Sequence, residues 1–137
     1  MVYIEIENLN ELIRHDMLMQ SVENDADKLD VIEATAIDEV KAYISSVYKV
    51  DLIFATTPIK NGLLIRIISM LVVYRAVRRN AARKVPVDYD DFEDQAYSLL
   101  ANIANGKLTL TNCPLVTNED GSAKLLYGNS RKSENYI

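Results

Sequence analysis

The feature that most constrains this chain is a long apolar run near its middle. Between residues 63 and 77 nearly every side chain is apolar, so a helix here has no polar face to turn toward water. A helix that is hydrophobic on all sides lies inside a bundle. Extended over residues 61–84, such a helix spans roughly 33 Å, about the width of a small domain. The sequence therefore predicts a central buried helix over residues 61–84.

A membrane-spanning helix is the alternative for such a run. Its longest stretch without a charge covers only residues 67–74, because Arg66 precedes it and Arg75 follows it. A spanning helix needs about 20 predominantly apolar residues. We therefore expect no membrane segment. The opening residues lack the basic region and apolar core of a signal peptide, and the single Cys113 permits no internal disulfide, so a soluble cytosolic protein is the expectation.

The second half of the central helix is basic. Residues 61–84 carry six basic and no acidic side chains, in a chain of formal net charge −5. Spacings of four residues align part of this set on one side of a helix. One interpretation is a solvated helix end that pairs with the acidic run at residues 88–94. The other is a surface for a partner subunit or for DNA. The residues at this spacing are Arg75, Arg79 and Arg83, with Arg78 and Lys84 beside them, and we call all five the basic stripe.

Before the central helix, apolar spacing predicts two others. The first begins at Asn8, with Glu11 as its reciprocal capping residue, and follows a brief extended segment at residues 2–6. It runs to about residue 20. The second begins at Asp27 or at Asp30, which has Glu33 three residues on, and runs to about residue 48. Its buried face is predicted to consist of Ile32, Ala36, Val40, Tyr43 and Val47.

After the central helix, the pattern predicts one more long helix, followed by a segment that is not helical. Asp88 is the expected N-cap, and Asn105–Gly106 is a strong stop signal. We predict an all-α fold, a small bundle of about four helices over residues 1–106. Residues 107–137 form the C-terminal arm, which is extended, partly mobile and able to form a short β-hairpin.

We find no catalytic constellation in the sequence. The only histidine, His15, has no second histidine to share a metal, and Cys113 has no histidine partner in sequence reach. The four glycines do not form a phosphate-binding loop. We expect a protein that is not an enzyme and that needs no cofactor or metal.

Two stretches of the chain resemble a family of phage proteins. Residues 92–110, FEDQAYSLLANIANGKLTL, are similar to the penultimate helix of Mu-like phage and prophage head-morphogenesis proteins, described as head–tail connectors or adaptors. Residues 37–58 and the following LLIRIISMLVVYRAVRR resemble that family's two central helices. The family's Gly-Arg-Tyr-Pro segment is replaced here by Val47-Tyr48-Lys49-Val50. The end of the first stretch matches the family pattern at Ile103, Ala104, Gly106, Lys107, Leu108 and Leu110.

The resemblance implies a ring-forming structural protein between portal and tail. Its partners would be other copies of itself, the portal and tail proteins, and the packaged DNA. It would be located in the bacterial cytoplasm during assembly and at the head–tail junction of the virion. A small helical interaction or regulatory module of a bacterial mobile element is the alternative. The residues expected to dock the C-terminal arm on a neighbour are Leu108, Leu110, Leu125, Leu126 and Tyr127.

Overall fold

The computed structural model describes residues 1–79 and 86–116, and within them the fold is all-α, as predicted. No strand occurs in these residues; one isolated antiparallel bridge joins Tyr48 and Leu115. None of the helices in the described part of the chain is long and apolar enough to cross a membrane. The helices are α1 (Ile6–Asn10), α2 (His15–Ser21), α3 (Asp27–Ile44), α4 (Val50–Ile53), α5 (Gly62–Arg79), α6 (Val87–Asp90) and α7 (Phe92–Ala104).

The core is built around α5. Residues 67–73 are all buried, so this part of α5 is enclosed on every side, as the apolar run predicted. Its main neighbours are α3 and α7, and α1 and α2 cover the rest. Enclosure is incomplete at the ends, since Arg66 is exposed and Val77 is only partly buried. Each large apolar side chain buried here contributes about 1.5–3 kcal/mol.

The start of α5 is set by Asn61. Its side-chain Oδ1 accepts hydrogen bonds from the backbone N–H groups of Leu63 and Leu64, at 3.0 and 3.2 Å. These are first-turn donors that have no partner inside the helix. The helix therefore begins within a residue of the predicted position. It continues at least to Arg79, and the predicted end at residue 84 lies outside the described residues.

The single first helix predicted from residue 8 to 20 is wrong. The segment is two short helices, α1 and α2, separated by a turn. Asn8 lies inside α1, where its Oδ1 accepts the backbone N–H of Glu5 at 2.8 Å. The carbonyl of Leu9 accepts the amides of both Leu12 and Ile13, which closes α1. The break lets Leu9, Ile13 and Leu18 all reach the core.

The proposed Asp30–Glu33 capping pair is also wrong. The helix α3 begins at Asp27, and Glu33 points into the protein, where it is 1% exposed. Its carboxylate accepts the backbone N–H groups of Val2, Tyr3 and Ile4, at 2.8, 3.0 and 2.9 Å. A buried carboxylate needs such donors. Glu33 therefore holds the N-terminal segment on α3 instead of capping that helix.

The end of α3 differs from the prediction by about four residues. The helix stops at Ile44, which is fully buried, whereas Tyr43 is 40% exposed and leaves the predicted buried face. Val47 lies in the turn that follows and Tyr48 in the bridge to Leu115, and both are nevertheless buried. Their burial depends on their packing outside the helix, which helical periodicity does not describe.

The predicted N-cap at Asp88 is replaced by a separate turn of helix. Asp88 lies within α6, which follows Pro86, and α7 begins only at Phe92. The predicted stop is confirmed: α7 ends at Ala104, and Gly106 has a φ of 85°, which glycine adopts without strain.

Candidate functional site

The basic stripe divides into residues with different surroundings. Arg75, Arg78 and Arg79 lie in the last turns of α5, while Arg83 and Lys84 lie outside the described residues. The side chain of Arg75 is only 19% exposed. Arg78 and Arg79 are both exposed. The helical spacing predicted a common stripe, but the packing of neighbouring helices separates its first member from the next two.

Arg75 is the centre of a network that joins the three long helices. Its Nη2 lies 2.6 Å from Oε2 of Glu39 in α3 and 3.0 Å from the hydroxyl of Tyr97 in α7. Its Nε lies 3.7 Å from a carboxylate oxygen of Glu93, also in α7. The Tyr97 hydroxyl donates to the other oxygen of Glu39 at 2.7 Å. One positive charge therefore lies between two carboxylates of the same chain.

Tyr97 completes this network and is shielded by a second ring. The rings of Tyr97 and Tyr43 stack, with centroids 5.9 Å apart. Burial raises the pKa of the Tyr97 phenol, and its hydrogen bond to the Glu39 carboxylate raises it further. The phenol therefore remains a donor to Glu39 at neutral pH. Its environment is typical of a structural hydroxyl and not of a general base.

The pairing of Glu93 agrees with one of the two interpretations of the basic stripe. Glu93 belongs to the acidic run that follows the central helix, and Arg75 contacts it. The closer partner, Glu39, was not anticipated, and neither was Tyr97. No local pattern singles them out, because residues 39, 75 and 97 are brought together only by the packing of α3, α5 and α7.

Unlike the side chain of Arg75, those of Arg78 and Arg79 are exposed. Neither forms an ion pair within 4.0 Å with any carboxylate of the described residues. The charge of Arg79 contributes to a lowered pKa of Glu23, but the main cause is the hydrogen bond from Lys28, at 2.8 Å. Arg78 and Arg79 thus present two adjacent positive charges at the C-terminal end of α5.

The first residues of the C-terminal arm pack against the bundle of their own chain. Leu108 is partly buried and Leu110 is 2% exposed. The backbone N–H of Leu110 donates to the hydroxyl of the buried Tyr48 at 2.8 Å. These contacts carry the bundle past the boundary predicted at residue 106. Leu125, Leu126 and Tyr127, the other predicted docking residues, lie outside the described residues.

Three further hydrogen bonds attach residues 112–116 to the bundle. The Asn61 side chain donates to the Asn112 side chain at 2.7 Å, and Asn112 donates to the Lys60 carbonyl at 2.8 Å. The amide of Val116 donates to the carbonyl of Val47 at 2.8 Å. The bridge of Leu115 is formed with Tyr48 of the bundle, so residues 107–116 form no hairpin among themselves. The remainder of a predicted hairpin would lie outside the described residues.

The only histidine and the only cysteine of the sequence differ in their exposure. His15 is exposed, and Cys113 is buried, which raises the pKa of its thiol. Among residues 1–79 and 86–116, no three His, Cys, Asp or Glu side chains are placed to hold a metal ion.

Two concave regions flank α5 and the N-terminal segment. An apolar groove of about 450 Å³ lies between residues 2–3, α3 and the connector after α4, with Ile37 and Phe54 in its walls. A more polar cavity of about 300 Å³ lies between α1 and α5, and we call it the α1–α5 cavity. Ser69 and Arg66 contribute to its lining.

Comparison with known proteins leaves the family of this chain open. No protein-family model, curated protein or solved structure matches it. The relation to phage connector proteins therefore remains a prediction from the sequence motifs.

Proposed function

We propose that this chain is a structural adaptor of the phage head–tail type, which assembles into a ring between portal and tail and catalyses no reaction. The observation that carries the proposal is the contrast within the basic stripe. Arg75 is neutralised inside the subunit, whereas Arg78 and Arg79 project from the end of the same rigid helix without a carboxylate partner among the described residues. Two fixed positive charges suit an acidic surface or a phosphate backbone.

The bundle also carries a suitable acidic counterpart. The segment around α6 and the start of α7 carries Asp88, Asp90, Asp91 and Asp94, all exposed. In a head-to-tail ring each subunit uses two different surfaces, one for each neighbour. We propose that Arg78 and Arg79 of one copy face this acidic segment of the next copy. Packaged DNA is the other candidate for the same charges.

The C-terminal arm has two roles in this proposal. Residues 107–116 anchor it to its own subunit through Leu110 and Asn112. The later residues Leu125, Leu126 and Tyr127 are proposed to dock on a neighbour, as the sequence motifs suggested. Such an arrangement would link subunits in a ring through a tethered segment.

Light scattering after size exclusion at high protein concentration tests the proposal. We expect a closed oligomer of the chain, either alone or with a portal protein. A chain that stays monomeric in both conditions would contradict the adaptor role and favour the small interaction module. Neighbouring portal, capsid and tail genes would be a consistent genomic context.

The charge-reversal variant Arg79→Glu tests the surface. We expect it to weaken assembly and, if DNA is the partner, retention of DNA. The matched control is Arg14→Glu, which reverses an exposed charge just before α2 and outside the proposed surfaces. If Arg79→Glu behaves like the control in both measurements, the basic stripe is only a solvated surface.

A further inference from the structure

The apolar groove beside α3 and the N-terminal segment leaves apolar side chains in contact with water. Its volume of about 450 Å³ lies within the range of roughly 300–1,000 Å³ that ligand sites have. Val2, in its lining, is 77% exposed, and Ala34 and Ala55 are also exposed. Phe54 is partly buried against the ring of Tyr3, with the ring centroids 4.9 Å apart. An apolar occupant that covered this surface would therefore be stabilised by its removal from water.

Two charged residues of opposite sign, Asp38 and Lys41, also line this groove. The ammonium of Lys41 lies 5.7 Å from the centroid of the Phe54 ring, within the range of a cation–π interaction. Asp38 is exposed, and it forms no ion pair within 4.0 Å with any residue in the ranges 1–79 and 86–116. The occupant that suits these surroundings is therefore an apolar segment with a positive charge at one end.

The chain itself contains a segment of this kind outside the described residues. Residues 117–137 contain a single run of three consecutive apolar residues, which we call the LLY segment: Leu125, Leu126 and Tyr127. Lys124 directly precedes this segment. Two aliphatic side chains and a ring match the apolar surface of the groove, and the lysine has the charge opposite to that of Asp38. The LLY segment is therefore the occupant that the sequence of this chain offers.

The point from which residues 117–137 start is close enough to the groove. The backbone N–H of Val116 donates to the carbonyl of Val47 at 2.8 Å. Val47 is one turn beyond the end of α3, and Ala34, in the groove, lies about 15 Å from that end along the helix axis. The chain from Val116 to Leu125 spans up to about 30 Å when extended. The LLY segment can therefore reach the whole groove of its own chain.

We propose that the apolar groove binds the LLY segment of its own chain, so that the C-terminal arm is held on the bundle in the free subunit. The segment covers the exposed apolar lining, and Lys124 pairs with Asp38, which selects its orientation. Because both partners belong to one chain, the effective concentration for a short tether is about millimolar, and a weak contact is sufficient. The inference does not depend on the proposed ring, in which docking on a neighbour would begin with release of the segment from this groove.

Disulfide formation between groove and arm tests the proposal in the full chain. Ala55→Cys and Gly128→Cys are combined with Cys113→Ser, which removes the native thiol, and the dilute monomeric protein is oxidised. The matched pair replaces Ala55→Cys by Gln95→Cys, at an exposed position of α7 outside the groove. We expect the disulfide within one chain to form at least about tenfold faster in the groove pair, because binding raises the local concentration of the two thiols.

Two outcomes of this experiment would overturn the proposal. Equal rates in the two cysteine pairs would show that the arm does not bind in the groove. A disulfide that joins two chains, formed in place of one within a chain, would show that the groove takes the arm of another copy. Neither outcome depends on whether the chain assembles into a ring, because the protein is oxidised as a dilute monomer.

Amide NMR spectra of arm variants identify the segment responsible. Leu125→Asp combined with Leu126→Asp places charge on the LLY segment, so it should leave the groove and shift the amide signals of the groove residues. The matched control combines Tyr136→Asp with Ile137→Asp, which alters the apolar pair at the end of the chain. It should leave these signals as in the wild type. Groove signals that stay unchanged in the first variant, or that shift only in the control, would overturn the proposal.

Discussion

The carboxylate of Glu39 in α3 lies 2.6 Å from the guanidinium of Arg75 in α5, and both groups contact Tyr97 in α7. This pair joins helices that otherwise pack mainly through the apolar side chains of the core, whose burial is not directional. Hydrogen bonds and ion pairs have preferred geometries, so they select one relative placement of packed helices. The network thus uses a residue of the basic stripe to align the bundle.

We expect Arg75→Met to destabilise the bundle. The substitution leaves the Glu39 and Glu93 carboxylates partly buried without their cation. The free energy of unfolding should fall by about 1–3 kcal/mol, less than for a fully buried pair, because the Glu39 side chain remains 35% exposed. Urea denaturation measures the change. The control Arg78→Met removes an exposed arginine and should change stability by less than about 0.5 kcal/mol.

A double-mutant cycle separates the ion pair from other effects of the substitution. Glu39→Gln alone and with Arg75→Met should give a coupling energy of at least about 0.5 kcal/mol, since the two residues are in direct contact. Additive effects of the two substitutions would mean that the contact does not contribute to stability.

Glu33→Gln should release the N-terminal segment. An amide retains one acceptor oxygen but places an NH₂ group against backbone donors, so part of the three-bond arrangement is lost. We expect a loss of about 1–3 kcal/mol in unfolding free energy. Hydrogen exchange should become faster at the amides of residues 2–4. In the control Glu7→Gln, which changes an exposed carboxylate of α1, exchange at these amides should stay as in the wild type.

Because the phenol of Tyr3 is buried, we expect the protein to lose stability in alkaline solution. Burial raises the pKa of its phenol to about 12, from an ordinary value of 10.0. The hydroxyl donates to the Ile59 carbonyl at 2.7 Å and accepts the Asn61 amide at 3.0 Å. Because the folded-state pKa is raised, its contribution to stability is complete below pH 10 and is lost as the pH rises toward 12.

Phenolate absorbance of the native protein and of Tyr3→Phe measures this titration by difference. We expect the Tyr3 signal to appear near pH 12 in the native protein and near pH 10 in concentrated urea. The same midpoint in both solvents would show that the Tyr3 environment in solution is not the buried one described.

The anchor of the C-terminal arm can be measured through Cys113. The thiol is buried, and burial raises its pKa, so a disulfide reagent should react slowly with the native protein. Leu110→Ala should destabilise the chain by about 2–5 kcal/mol through loss of buried apolar contacts and make Cys113 react faster. Leu115→Ala is the control, because that side chain is 39% exposed. Equal reactivity in both variants would contradict anchoring through Leu110.

Much of the bundle could be predicted from local patterns. The apolar run indicated α5, and helical spacing and stop signals indicated α3 and α7. The errors are concentrated where short polar segments have distant partners. Asn8 and Glu11 have the spacing of a capping pair, but the turn after Asn10 ends the helix. Glu33 has the spacing of a cap for Asp30, yet its partners lie at residues 2–4.

The candidate sites were likewise predicted only where they depend on local spacing. Spacing of four residues placed Arg75 and Arg79 on one side of α5, but Arg75 is paired with Glu39 and Glu93 inside the subunit, whereas Arg79 is exposed. The α1–α5 cavity was not anticipated at all. Ser69 is one small polar residue within an apolar helix, and only the packing of α1 beside α5 places it in the lining of this cavity.

By itself the sequence determined the helical class, the buried central helix and the stop at Gly106, because these depend on interactions between residues close in the chain. Only the tertiary structure decided that Glu33 receives the N-terminal segment, that Arg75 binds Glu39, and that Leu110 and Tyr48 join the arm to the bundle. A polar group bonds with whichever partner folding brings near it. That partner can be dozens of residues away, and no local periodicity specifies it.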